Sequence, residues 1–126
     1  MSAAVFDSSA ILTLLNSEPG SEKLSALDGS ISSAVNLAEV QTKLVAKGLD
    51  PVVAWEVTLG AVNEASDFTV AHAELAGSLV SKTRSLGLSL GDRACLALAI
   101  SLDAPVYTAD RAWNKLKLPI RIHVIR

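Results

Sequence analysis

Short apolar runs alternate with longer stretches of helical periodicity along this chain. Residues 3–6 form an unbroken apolar run, the pattern of a buried parallel strand, and Asp7-Ser8-Ser9 hands it over to a helical stretch at 10–15. Pro19-Gly20 opens a short helix over 22–27, Asp28-Gly29 makes a turn, and Ser30-Ile31-Ser32 reads as a brief second strand. Ser33 or Asn36 caps the next helix, which runs to Lys47 and stops at Gly48. Asp50-Pro51 starts another, with Asp as cap and Pro at the first helical position, reaching Asn63. Phe68-Thr69-Val70 reads as a third strand, and 71–85 as a long helix ended by Gly87, with Ala73, Ala76, Gly77 and Val80 as a small-residue packing face. A nearly all-apolar helix follows over 91–102. Then come a fourth strand at 105–108, a short helix to Leu116 that Thr108 can cap, and an alternating closing strand at 120–125 with an edge-strand pattern.

Strands separated by helices must pair in parallel, because each crossover returns the chain to the same edge. The pattern therefore predicts one three-layer α/β/α domain over residues 1–126, with a mainly parallel sheet of about five strands. Half of the 126 residues are hydrophobic and only 4% are aromatic, so the core is built from Ala, Leu, Val and Ile. A single cysteine, Cys95, excludes an intrachain disulfide and reads as an inert core residue. The first residues carry neither a basic region nor a long apolar run. No signal peptide or membrane segment is expected, and the predicted location is cytoplasmic.

Four acids stand where this layout places chemistry. Asp7 and Asp110 follow strands directly, and Glu39 and Asp92 fall in the first turns of helices. In open α/β sheets the site lies beyond the C-terminal strand ends, where the strand order switches, so all four can converge there. Each acid also has a purely structural reading: Asp7 as an N-cap, Glu39 as a solvated or capping residue, Asp92 as the third member of a capping box begun by Ser89. Carboxylates gathered within a few ångströms raise one another's pKa and call for a counter-ion. Oxygen ligands suit Mg²⁺ or Mn²⁺, and only His72 and His123 are available for a zinc site, with no metal-site spacing. Such a metal serves phosphoryl chemistry, by activating water and stabilising charge on phosphate oxygens. Arg93, Arg111, Lys43 and Lys115 are candidate phosphate contacts, with Lys47 and Lys117 beside them in sequence. The net charge of −2 neither supports nor excludes a nucleic-acid partner.

Taken in order, these segments resemble the PIN-domain family and, within it, the VapC-like toxins. The resemblance rests on Asp7 with Ser9 two residues on, on Asn36-Leu37-Ala38-Glu39-Val40, on the run from Leu88 to Ala99 around Asp92, and on the run from Val106 to Trp113 around Asp110. It implies a metal-dependent endoribonuclease whose acidic site is Asp7, Glu39, Asp92 and Asp110, holding one or two Mg²⁺ or Mn²⁺ ions, with Ser9 and Thr108 as polar supports. It also implies an RNA substrate, cut to 5′-phosphate and 3′-hydroxyl ends. The implied partners are a homodimeric second copy and a small VapB-like antitoxin, for which Trp55 and its helix are candidate contacts; Trp55 equally suits the chain's own core. Two other classes remain open: a non-catalytic partner-binding module on the same fold, and another Mg-dependent phosphoryl-transfer enzyme. Ser9 stands where a haloacid-dehalogenase-type phosphatase would need an Asp, and Ser8-Ser9-Ala10 is not a glycine-rich nucleotide loop.

Overall fold

The structure, a computed structural model, describes residues 3–126; Met1 and Ser2, on which part of the N-terminal reading rests, lie outside the described residues. Five strands form one sheet in the order β3-β2-β1-β4-β5, and every neighbouring pair is parallel. They are β1 (Ala4–Phe6), β2 (Ser30–Ser33), β3 (Glu64–Ser66), β4 (Val106–Thr108) and β5 (Ile122–Val124). The chain walks from β1 outward through β2 to β3, then returns to the other side of β1 for β4 and β5. The switch in strand order therefore falls between β1 and β4, the two strands that Asp7 and Asp110 follow.

The alternation hidden in the first apolar run becomes visible here. Ala4 and Phe6 join a core with α1 (Ser8–Leu15), α2 (Ser21–Ser25), α3 (Ala34–Ala46) and α4 (Pro51–Gly60). Val5 faces the opposite way, into a core with α7 (Leu90–Leu102), Leu79 and the fully buried Trp113. A strand buried on both faces has no polar positions to reveal its period. In α7 every residue from Ala94 to Ala99 is buried, as its composition predicts.

The third strand is a correction. Phe68-Thr69-Val70 is not a strand: Thr69 caps α5 (Val70–Ser78) by accepting from the His72 amide at 3.1 Å. The sheet is extended instead by Glu64–Ser66, an exposed edge with little intrinsic strand preference. Asn63 brings it there. Its Oδ1 accepts from the Ser30 amide at 3.0 Å and its own amide donates to the Ser30 carbonyl at 3.1 Å. The preceding helix accordingly ends at Gly60 rather than Asn63.

The expected helix at 71–85 is broken into α5, α6 (Val80–Thr83) and a 3-10 turn at Arg84–Leu86, which Gly87 ends in the left-handed conformation. Of its small-residue face only Ala76 is buried. Of the two candidate caps of α3 it is Ser33 that serves, while Asp110 rather than the expected Thr108 caps the 3-10 helix Arg111–Lys115. The closing strand shortens to Ile122–Val124 and is an edge strand as expected. Helix α4 buries only Ala54 and Thr58, and leaves Val52, Val53, Trp55 and Leu59 exposed, so Trp55 does not fill the core. Among the described residues no helix is long and apolar enough to cross a membrane.

The end of β5 is locked against the α1–α2 connection. Gly20 has φ +102°, and a Cβ there would overlap the Ile125 carbonyl. Gly20→Ala should therefore cost at least ~1–2 kcal/mol in urea unfolding, from the backbone conformation alone. A cost near zero would show that this end of the sheet is not packed as described.

Candidate active site

Asp7 leaves β1 and turns at once into α1. Its backbone is extended, its side chain accepts the Ala10 amide at 2.8 Å, and it is only 3% exposed. It is thus both a cap and a candidate functional acid. The Thr108 hydroxyl, at the end of neighbouring β4, donates to Oδ2 at 2.6 Å, and the Ser9 hydroxyl lies 2.7 Å from Oδ1. Each hydroxyl is itself polarised by a backbone amide: Asp110 donates to Thr108 Oγ1 at 3.1 Å and Ala109 to Ser9 Oγ at 2.9 Å. The two strand ends flanking the switch are stitched together through one carboxylate.

Burial pushes the Asp7 pKa up to about 6. The hydrogen bonds from Thr108, the Ala10 amide and Ser9 pull it down, and the Asp92 charge raises it further. Burial likewise raises the Cys95 thiol well above its usual value, reinforced by the charges of Asp7, Asp92 and Glu39. Cys95 is a buried, protonated core group.

Asp92 completes the expected capping box: its carboxylate accepts the Ser89 amide at 2.9 Å while the Ser89 hydroxyl accepts the Asp92 amide at 3.2 Å. Asp110 accepts the Ala112 amide at 2.9 Å. Three of the four acids therefore sit on helix starts, where free amides and the helix dipole favour negative charge.

Glu39 is held differently. It lies in the second turn of α3, not the first, and caps nothing. Its Oε1 accepts from the Ser8 hydroxyl at 3.0 Å and from Asn36 Nδ2 at 3.1 Å. Asn36, fully buried, also donates to the Gly91 carbonyl at 3.1 Å and so ties α3 to α7. A Cβ at Gly91 would overlap the Glu39 carboxylate. Asn36 and Gly91, legible in the sequence only as a cap and a helix-start glycine, are what give Glu39 its place.

All four acids line one open cavity of about 570 Å³, with Ser8, Ser9, Lys43 and Lys47. Among the described residues no three acid, His or Cys side chains are drawn close enough to make a ready metal cage. None of the four carboxylates is in an ion pair among those residues. Carboxylate oxygens with no internal cation, one of them buried, match the donor chemistry of Mg²⁺ or Mn²⁺. Of the candidate phosphate contacts Lys43 and Lys47 reach the cavity. Arg93 turns to α5 and donates to the Ala76 carbonyl at 2.8 Å, while Arg111 and Lys115 are exposed on the 3-10 helix outside the lining. Glu18 and Arg126 also line the cavity, and nothing in their sequence surroundings marks them.

A family model described as "PIN domain" matches residues 4–118. The chain belongs to the PIN-domain family. Its fold is shared with solved toxin–antitoxin proteins. DNA-bound VapBC from Salmonella typhimurium aligns with a TM-score of 0.75 and 20% identity over 100% of both chains. VapC20 of Mycobacterium tuberculosis, a toxin that cleaves the sarcin-ricin loop, aligns at 0.75 and 17% over 94% of this chain and 99% of its own. VapBC2 from Rickettsia felis, bound to a promoter DNA fragment, aligns at 0.73 and 19% over 98% and 99%. No curated protein matches the chain. The α/β expectation of a mainly parallel, five-stranded sheet is borne out as the PIN fold.

Two outcomes follow for this PIN domain. A folded-state pKa near 6 against 3.8 unfolded means that the native state keeps the Asp7 proton longer. In metal-free buffer, stability should fall as pH rises from about 4 to 7, by up to about 3 kcal/mol from this group. Asp7→Asn should remove that slope in thermal melts, and an unchanged slope would refute the burial account. Gly91→Ala and Asn36→Ala should each displace Glu39. If the acids hold Mn²⁺, both should lower its affinity measured by calorimetry at least several-fold, whereas Asn36→Ser, which keeps a short donor, should lose less.

Proposed function

We propose that this PIN domain is a metal-dependent endoribonuclease and the toxin of a toxin–antitoxin pair. The observation that carries the reading is the set of four carboxylates on one cavity, at the strand switch, none of them in an ion pair among the described residues. Asp7, Glu39, Asp92 and Asp110 are the proposed metal-holding and catalytic residues. A bound Mg²⁺ or Mn²⁺ would activate a water and stabilise charge on the phosphodiester oxygens. The chain's own residues do the rest. Ser9 and Thr108 hold Asp7 against the strand ends, and Ser8, Asn36 and Gly91 hold Glu39. The helix-start amides that fix Asp92 and Asp110 occupy one side of each carboxylate and leave the other for ligation. Attack by water rather than by a ribose hydroxyl leaves 5′-phosphate and 3′-hydroxyl ends.

Likeness to VapBC complexes supports a small VapB-like antitoxin as partner, and the exposed apolar residues of α4 suit such a contact or a second copy of the chain. The domain spans residues 1–126 in this reading, and the protein acts on RNA in the cytoplasm.

The test is cleavage of an end-labelled RNA pool by purified protein free of any partner. Mg²⁺ or Mn²⁺ should support cleavage, chelator should stop it, and Asp92→Asn should reduce it at least 100-fold while the melting temperature stays within a few degrees. Equal activity of the two proteins, or cleavage indifferent to chelator, would overturn the reading. Inactivity of both without Mn²⁺ binding would leave a partner-binding module.

A further inference from the structure

Beyond the acids, the cavity has a second and oppositely charged side. Glu39, Lys43 and Lys47 are spaced four residues apart on α3, so they form one stripe along the helix, and all three line the cavity. A Glu followed by Lys at that spacing is usually a helix-stabilising pair. Here it is not one. The Glu39 carboxylate is turned to Ser8 and Asn36, and neither lysine is in an ion pair among the described residues. Arg126 is the third cation of the lining. The Ile125 amide bonds the Thr108 carbonyl at 2.9 Å, and the close approach of Gly20 to the Ile125 carbonyl fixes the chain beside the α1–α2 connection. The Arg126 guanidinium is anchored through one nitrogen only: Nη2 bonds Glu18 and lies 3.3 Å from Thr13 Oγ1. Its remaining N–H groups are free to donate.

We infer that Lys43, Lys47 and the Glu18-anchored Arg126 form a phosphate-binding track that holds the nucleic-acid backbone beside the acidic site. This rests on the nuclease reading and adds to it the residues that hold the substrate backbone. Residues four apart on a helix rise about 6 Å along its axis. That step is comparable to the distance between neighbouring phosphates along one strand, so each lysine can meet its own phosphate. The track runs from Glu39 toward the C-terminal end of α3, where cationic side chains are also favoured by the helix dipole. A cavity carrying five acids in a protein of net charge −2 would otherwise repel a polyanion at every approach.

The test is salt-dependent binding of a fluorescent 12-nucleotide single-stranded RNA by anisotropy, with the Asp92→Asn form as the parent so that no cleavage intervenes. Each neutralised phosphate contact should lower the slope of log affinity against log salt by about 0.7, so Lys43→Ala plus Lys47→Ala plus Arg126→Ala should lower it by about 2. Arg126→Lys should restore most of its share, and Lys23→Ala, on α2 outside the cavity lining, should leave the slope unchanged. Circular dichroism melts identify any variant that fails to fold, in which case the single substitutions decide. An unchanged slope in the folded variants overturns the track. Metal-dependent hydrolysis of bis(p-nitrophenyl) phosphate, which has no flanking phosphates, by the unmutated protein tests the nuclease reading separately.

Discussion

A carboxylate buried at the meeting point of two strands is the constraint on which this structure turns. Asp7 is 3% exposed, in no ion pair among the described residues, and burial raises its pKa to about 6. Desolvating such a group is unfavourable unless its oxygens are hydrogen-bonded. The fold meets that demand locally, with the Ala10 amide in the first turn of α1 and the Ser9 hydroxyl, and across the sheet, with the Thr108 hydroxyl at the end of β4. Those same bonds fix where β4 ends and where Asp110 begins its turn. What stabilises the carboxylate thus also sets the geometry of the site.

The other acids show that capping and chemistry need not compete. Asp92 and Asp110 each accept a backbone amide at the start of a helical segment, which fixes the side chain and satisfies an otherwise orphaned donor. Glu39 has no such amide, being in the second turn of α3. It relies on a buried Asn36 and on the missing side chain of Gly91, residues drawn from its own helix and from α7. The site therefore depends on the packing of α3 against α7 as much as on the sheet. Local sequence can stabilise the caps, but only tertiary packing can hold Glu39.

Charge is divided within the cavity rather than averaged over the surface. Four acids gather near the strand switch, and Lys43, Lys47 and Arg126 line the same cavity. The formal net charge of −2 conceals this division. A metal held by the acids would reverse the local field, so net charge is a poor guide to what such a cavity binds. Similarity to VapC-type structures at about 20% identity fits the same point. The fold survives wide sequence change because it asks for apolar strands and helices of the right period, while the site asks for a few side chains.

The strand–helix order, the parallel sheet, the all-apolar α7 and the four acids were legible in the sequence, because each is written in local periodicity or in residues next to a strand or helix end. The caps at Asp7, Asp50 and Ser89 were legible for the same reason. The third strand was not. Phe-Thr-Val has the stronger strand preference, yet Glu64–Ser66 takes the edge position because Asn63 pairs with Ser30, a contact between residues 33 apart. Nor could the chain's order reveal that Arg93 turns to α5, that Arg126 returns to Glu18, or that Gly91 makes room for Glu39. By itself the sequence determined four of the five strands, most of the helices and the acids beside their ends, since those depend on neighbours in the chain. Which carboxylates share a cavity, and which cations stand beside them, was decided by the tertiary structure, because side chains far apart in sequence meet only once the sheet order and the α3–α7 packing are set.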